Sequence, residues 1–205
     1  MSKLSELQLD ALTEAFNIGM GSAAAALSEM VNTRINLSVP KVSFIDKTAA
    51  AAQLSQTTKS DLSGVLEKFD GPFSGTAMLL FPEEQSLSLV RLMLKDTVPL
   101  NSLTEFEEEA LNEIGNIVLN AGIASLADMF EKRISTEIPV YTRGRTQEIL
   151  HCTNEDINDV LMFLKVNFSI QDANIHGFVV YLLDVKSMRE FTSLLDQYIL
   201  KVASL

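Results

Sequence analysis

The 205-residue sequence predicts an α+β fold of two pseudo-symmetric halves. Three observations carry that prediction. Residues 4–40 and 103–139 align without a gap at an offset of 99, with 13 of 37 positions identical. Each copy opens with a helix signature, and each then changes to the period of a strand. The chain therefore reads as one domain, residues 1–205, made of a first repeat (1–100) and a second repeat (101–205). The repeats share one continuous, mainly antiparallel sheet, with the two leading helices side by side on an exposed surface.

The elements follow in order. Ser5 with Gln8, and Thr104 with Glu107, have capping-box spacing, in which the hydroxyl accepts from the third helical amide and the longer side chain returns to the cap. Leu9, Leu12, Phe16, Ala23, Leu27 and Met30 recur at helical spacing in the first helix. Leu111, Val118, Leu119, Leu126 and Met129 do so in the second, which gives each helix one buried face. Residues 34–40 put Ile35, Leu37 and Val39 on one side, and residues 133–139 do the same with Ile134, Thr136 and Ile138; this is the alternation of a half-buried strand. Pro40 and Pro139 limit further ladder pairing. Residues 48–56 read as a short helix, with 146–152 as its counterpart. Residues 65–69 with 75–81, and 161–170 with 177–183, read as hairpin strands, and 86–95 and 187–200 as closing helices. Residues 96–102 form a joint too short to be a flexible linker. The unit is helix, strand, short helix, two strands, helix, used twice.

Composition narrows the class. A chain that is 47% hydrophobic and only 21% charged has enough apolar material to bury a full core. It contains no apolar run of the ~18 residues that a membrane span needs, and its first residues lack a secretory leader, so the expected location is cytoplasmic. A lone cysteine, Cys152, cannot form an internal disulfide, in keeping with a reducing compartment. The net charge of −11 disfavours nucleic acid and anionic lipid, which are bound through clustered Lys and Arg. Protein partners are the better expectation.

The polar identities between the copies are few: Glu6/Glu105, Glu14/Glu113, Asn17/Asn116 and Arg34/Arg133. At about 100° per residue, Asp10, Glu14 and Asn17 fall within about 60° of one another on the first helix, away from Leu12, Phe16 and Met30. Glu109, Glu113 and Asn116 repeat the arrangement on the second. Solvated helix positions explain most isolated Glu and Asn residues. They do not explain why Glu, two intervening residues and Asn are kept in both copies while Thr13/Asn112 and Phe16/Gly115 diverge. Asn is also a mediocre residue for a helix interior.

The spacing of Asp10, Glu14, Asn17 and Pro40 resembles the signature of the CheC, CheX and FliY phosphatases of bacterial chemotaxis. The flanking Asn17-Ile18-Gly19-Met20-Gly21, with Ala24 and Ala26-Leu27-Ser28, is also similar to CheC-type chains. Glu113, Asn116 and Pro139 repeat the signature, with Glu109 where the family usually has Asp or Ser. Two copies in a chain of this length resemble CheC itself; CheX carries one active copy, and FliY adds a C-terminal domain not expected here.

The resemblance implies two-component signalling: hydrolysis of the phospho-aspartate on a CheY-like response regulator, without a cofactor or metal bound by this chain. Mg²⁺ is expected on the partner receiver, where it neutralises the acyl phosphate and leaves the phosphatase mainly to place a water in line. Asn17 and Asn116 would position that water. Glu14 and Glu113, one turn earlier, would dock the receiver's active-site lysine. Asp10, Pro40, Glu109 and Pro139 would support the motif. Two further readings stand beside this one. The first is a non-catalytic CheC-like adaptor for a phosphorylated receiver or the deamidase CheD, with residues 146–152 as a CheD contact. The second is a structural part of the flagellar switch, related to FliM or FliY. Fusion of two halves favours a monomer over an obligate oligomer.

Other motifs carry less. Gly19 and Gly21 do not sit between a strand and a helix and precede no Lys-Ser or Lys-Thr, so close helix packing explains them better than a phosphate loop. His151, Cys152 and His176 are too few and wrongly spaced for zinc. Asp184 and Asp196 lack partners that would mark paired acid and base, and the acids at 105 and 107–109 suit a helix N-terminus.

Overall fold

Helix α1 (Glu6–Val31) begins at the expected capping box, with Ser5 Oγ accepting from the Gln8 amide at 3.3 Å and Gln8 Oε1 accepting from the Ser5 amide at 2.7 Å. The same Gln8 donates through Nε2 to Asp196 at 2.6 Å, tying this helix start to the last helix. The computed structural model describes residues 4–39, 41–57, 61–94, 103–151, 160–170 and 173–204. Pro40, Cys152 and the predicted joint at 96–102 lie outside them.

The second motif helix, α4 (Leu103–Phe130), departs from the predicted start, because Leu103 and Thr104 are already helical. Glu107 does not return to a cap. It is 1% exposed and accepts hydrogen bonds from Ser86 and from the Tyr141 hydroxyl. Those bonds tie α4 to a neighbouring helix and strand, a role that helix-end electrostatics alone did not suggest. Both motif helices end alike, on a non-glycine residue in the left-handed region at matching positions, Asn32 (φ 48°) and Glu131 (φ 52°). α1 and α4 pack side by side as predicted. A Cβ on Gly19 would stand 2.7 Å from the Ala121 carbonyl oxygen, so a side chain there would force the helices apart. Gly21 has open space around it, and packing does not account for it.

The strands are β1 (Ile35–Ser38), β2 (Val42–Asp46), β3 (Leu62–Asp70), β4 (Gly75–Pro82), β5 (Ser135–Thr136), β6 (Val140–Gly144), β7 (Val160–Ile170) and β8 (Ala173–Leu183). Every pairing among them is antiparallel, in the order β1-β7-β8-β4-β3-β5, with β2 continuing along β7 and β6 along β3. β2 and β6 were not predicted. The ladder lapses after Ser38 and after Thr136, and the chain pairs again from Val42 and Val140 with its register shifted by one residue. The halves exchange their edges: the first copy's β1 and β2 pair with β7, and the second copy's β5 and β6 pair with β3.

Strand alternation divides the side chains between two cores. Val65, Phe69, Ala77, Leu79, Phe168, Val179 and Tyr181 face α1, α4, α3 (Glu83–Met93) and α6 (Val185–Ala203). Leu62, Met78, Leu80, Leu161, Phe163, Phe178 and Val180 face the two short helices α2 (Lys47–Thr57) and α5 (Thr146–His151). The two aspartates set aside in the sequence have structural uses. Asp184 caps α6 by accepting from the Ser187 amide at 2.6 Å, and Asp196 receives Gln8.

Candidate functional site

The motif carboxylates stand where helical geometry put them. Asp10 and Glu14 on α1 and Glu109 and Glu113 on α4 are all exposed. The two asparagines, identical in sequence position, are in different states.

Asn17 is half-buried and committed to the backbone. Its Oδ1 accepts from the Val39 amide at 2.9 Å, and its Nδ2 donates to the Val39 carbonyl at 2.9 Å and the Thr13 carbonyl at 2.9 Å. The carboxamide thus pairs with both backbone groups of Val39 as a residue on a neighbouring strand would. Val39, the residue before Pro40, is 1% exposed and has little other means of satisfying its amide. Of the four hydrogen-bonding positions a carboxamide offers, one lone pair on Oδ1 remains.

Asn116 is exposed. Its Oδ1 accepts from Asn120 Nδ2 at 2.9 Å, and among the described residues its own Nδ2 has no partner. Both amide hydrogens and one lone pair are left for a ligand. Ile138, which occupies Val39's place in the second copy, is 86% exposed. The predicted inward row Ile134, Thr136, Ile138 is not formed: β5 is two residues long, and Thr136 and Ile138 are exposed. Past Thr136, which still bonds to α4 through Asn120, the segment turns away from the helix, and an open groove of about 790 Å³ lies between them. Glu109, Glu113 and Asn116 line it on the helix side, and Thr136, Ile138 and the half-buried Pro139 on the other.

Two polar residues, Asn120 and Glu67, escaped notice in the sequence, and a third, Thr136, was read only as part of a strand row. Asn120 holds Asn116 through both the side-chain contact and a 2.8 Å bond to its carbonyl, and accepts from Thr136 Oγ1 at 2.9 Å. Beneath them Glu67, on β3, is 1% exposed, and burial pushes its carboxyl up to about 7 even though Thr136 and Asn120 face it and pull the other way. The motif was found from what the copies share; these residues lie where the copies differ. No group of His, Cys, Asp and Glu among the described residues is placed to hold a metal, and no described helix is long and apolar enough to cross a membrane.

Residues 7–44, which include Asp10, Glu14 and Asn17, match the model of the CheC-like family. The flagellar motor switch phosphatase FliY of Bacillus subtilis is 27% identical over 82% of this chain and 43% of its own length. The CheY-P phosphatase CheC of the same organism is 24% identical over 66% of each. The chain thus spans under half of the first relative and just under two thirds of the second. Among solved structures, Thermotoga maritima FliY superposes with a TM-score of 0.76 at 15% identity, over 95% of this chain and 98% of that one. That likeness shows the fold: an α+β architecture of the FliY type.

Proposed function

We propose that the chain is a phosphatase for the phospho-aspartate of a CheY-like receiver, with Glu113 and Asn116 forming its better-prepared site and Glu14 and Asn17 a second. The observation that carries this reading is the open groove, in which an exposed Glu113 and an exposed, largely unpartnered Asn116 lie one helical turn apart. The relatives named as phosphatases support the class of reaction.

The chemistry needs little from the protein. A water held by Asn116 attacks the phosphorus in line, the bond from phosphorus to the aspartyl oxygen breaks, and the carboxylate leaves. The water's proton passes to the released phosphate or to solvent. Asn116 Oδ1 accepts one water hydrogen and so turns the oxygen lone pair toward the phosphorus, and a neutral amide does this without opposing the phosphoryl charge. Glu113 takes a cation on the receiver and sets the register. Mg²⁺ belongs to the receiver, where it neutralises the phosphoryl oxygens. One observation favours the adaptor reading for the first site alone: Asn17 is half-buried and fixed by three bonds to Val39 and Thr13, so its oxygen is not presented to a docked receiver as that of Asn116 is.

The test is phosphate release from a Mg²⁺-loaded, acetyl-phosphate-charged receiver of the same organism. The wild-type chain is expected to accelerate it, and the Asn17→Ala/Asn116→Ala double variant to lose that acceleration. Binding without acceleration by the wild-type chain would leave only the adaptor.

A further inference from the structure

The two copies differ in concert around one asparagine and not the other. The offset of 99 continues into the sheet, because Phe69 lies opposite Thr136 as Phe168 lies opposite Leu37. Glu67 therefore corresponds to Val166. Across the hairpin the offset becomes 100, since Phe69 faces Gly75 and Phe168 faces Ile175. Phe81 therefore corresponds to Tyr181. Around Asn17 the four positions are Gly21, Leu37, Val166 and Phe81, none with a polar side chain. Around Asn116 they are Asn120, Thr136, Glu67 and Tyr181, every one polar. A fifth change makes room for them: Ala23 becomes Gly122, where a Cβ would collide with the Tyr181 hydroxyl.

These residues lie close to one another on the helix-covered face of the sheet. Glu67 and Tyr181 flank the small Ala77 on adjoining strands, and Thr136 is diagonal to Glu67 across the β3–β5 ladder. Among the described residues, neither Glu67 oxygen nor the Tyr181 hydroxyl has a hydrogen-bond partner, although all three atoms are buried. A buried acid without a fixed partner is costly, and Val166 shows that this fold can fill the same position with an apolar side chain.

We propose that Glu67 is a positioning residue for Asn116, acting through Asn120 and Thr136; this rests on the phosphatase reading above. A carboxylate only accepts, so ionised Glu67 draws the Thr136 hydroxyl and the Asn120 amide toward itself. Asn116 Oδ1 then loses its Asn120 donor and offers both lone pairs to the water. A protonated Glu67 donates instead, and Asn120 stays on Asn116. The groups facing Glu67 are Tyr181 from β8, the one titratable neighbour among them, and the uncharged Asn120 from α4, Thr136 from β5 and Ala77 from β4.

The experiment is a double-mutant cycle in receiver dephosphorylation, run from pH 6 to pH 8 with wild type, Glu67→Gln, Asn116→Ala and the combined variant. For a group titrating near 7 the ionised fraction rises about tenfold over this range, and the Asn116-dependent part of the rate is expected to follow it. Glu67→Gln should hold that part flat at its low-pH level, with no further effect once Asn116 is absent. Glu67→Val, matched to Val166, guards against a variant that fails to fold. An unchanged pH profile in a folded Glu67→Gln protein overturns the proposal. If the wild-type chain accelerates nothing, the phosphatase reading fails instead, and side-chain amide resonances decide the coupling separately. Asn116 and Asn120 signals should shift with a midpoint near 7 in wild type and not in Glu67→Gln; signals that never titrate in wild type also overturn it.

Discussion

Asn17 and Asn116 occupy the same place in two aligned copies, yet one closes its site and the other leaves it open. At the first, a carboxamide is bonded into the Val39 peptide and the strand lies against the helix. At the second, the strand has turned Ile138 outward and Asn116 faces a groove. A duplicated motif thus supplies two positions, and the surrounding residues decide what each does. The contrast teaches that one residue type can be committed to the backbone in one copy and left open to a ligand in the other, because a carboxamide pairs equally well with a backbone group or a water.

The largest expected effect is on turnover. Asn116→Ala should lower receiver dephosphorylation by about 10²-fold at the second site, the scale on which misplacing a reacting group acts. Asn17→Ala should change the total rate less than twofold. Steady-state phosphate release with each single variant measures the split. Equal losses would mean that Asn17 leaves Val39 when a receiver docks, and that the two sites work alike.

The repeat itself made the fold legible: ungapped alignment, one sound capping box and a switch of period placed α1, the hairpins and the shared sheet. What escaped were features that depend on partners distant in sequence. β2 and β6 follow prolines that read as strand ends, and only their register on β7 and β3 rebuilds them as strands. Glu107 looked like half of a capping box because its true partners, Ser86 and Tyr141, are 21 and 34 residues away. At the site, helical periodicity correctly put Asp10, Glu14, Glu109 and Glu113 outward. It could not report that Asn17 reaches Val39, 22 residues on, nor that Asn120 and Thr136, in the places of Gly21 and Leu37, bond to each other beside Asn116.

The polar floor beneath the second site should appear in the stability of the fold as well. Glu67 titrates near its ordinary 4.5 in the unfolded chain and near 7 in the folded one. Between those values the folded state keeps a proton that the unfolded state has lost, so stability falls as pH rises through this window and stays lower above it. The full shift corresponds to about 3 kcal/mol, of which about 2–3 kcal/mol falls between pH 5 and pH 8. Urea unfolding at pH 5 and pH 8 should show that loss in wild type and a much smaller one in Glu67→Gln. A wild-type loss that survives the substitution would place the proton elsewhere and remove the electrostatic difference between the two floors.

The smallest effect separates the asparagines by stability rather than rate. Asn17→Ala strips the buried Val39 peptide of both its side-chain partners, and an unsatisfied buried amide costs about 1–3 kcal/mol. Asn116→Ala removes an exposed side chain that receives one bond from Asn120, and should stay within about 0.5 kcal/mol of wild type. Asn17→Asp sharpens the point. Its carboxylate could still accept from the Val39 amide, but it would set a negative charge against the Val39 and Thr13 carbonyls, so it should be no more stable than Asn17→Ala. If urea unfolding gave the same cost for both alanine variants, the Val39 pairing would not be holding the strand, and the closed first site would need another cause.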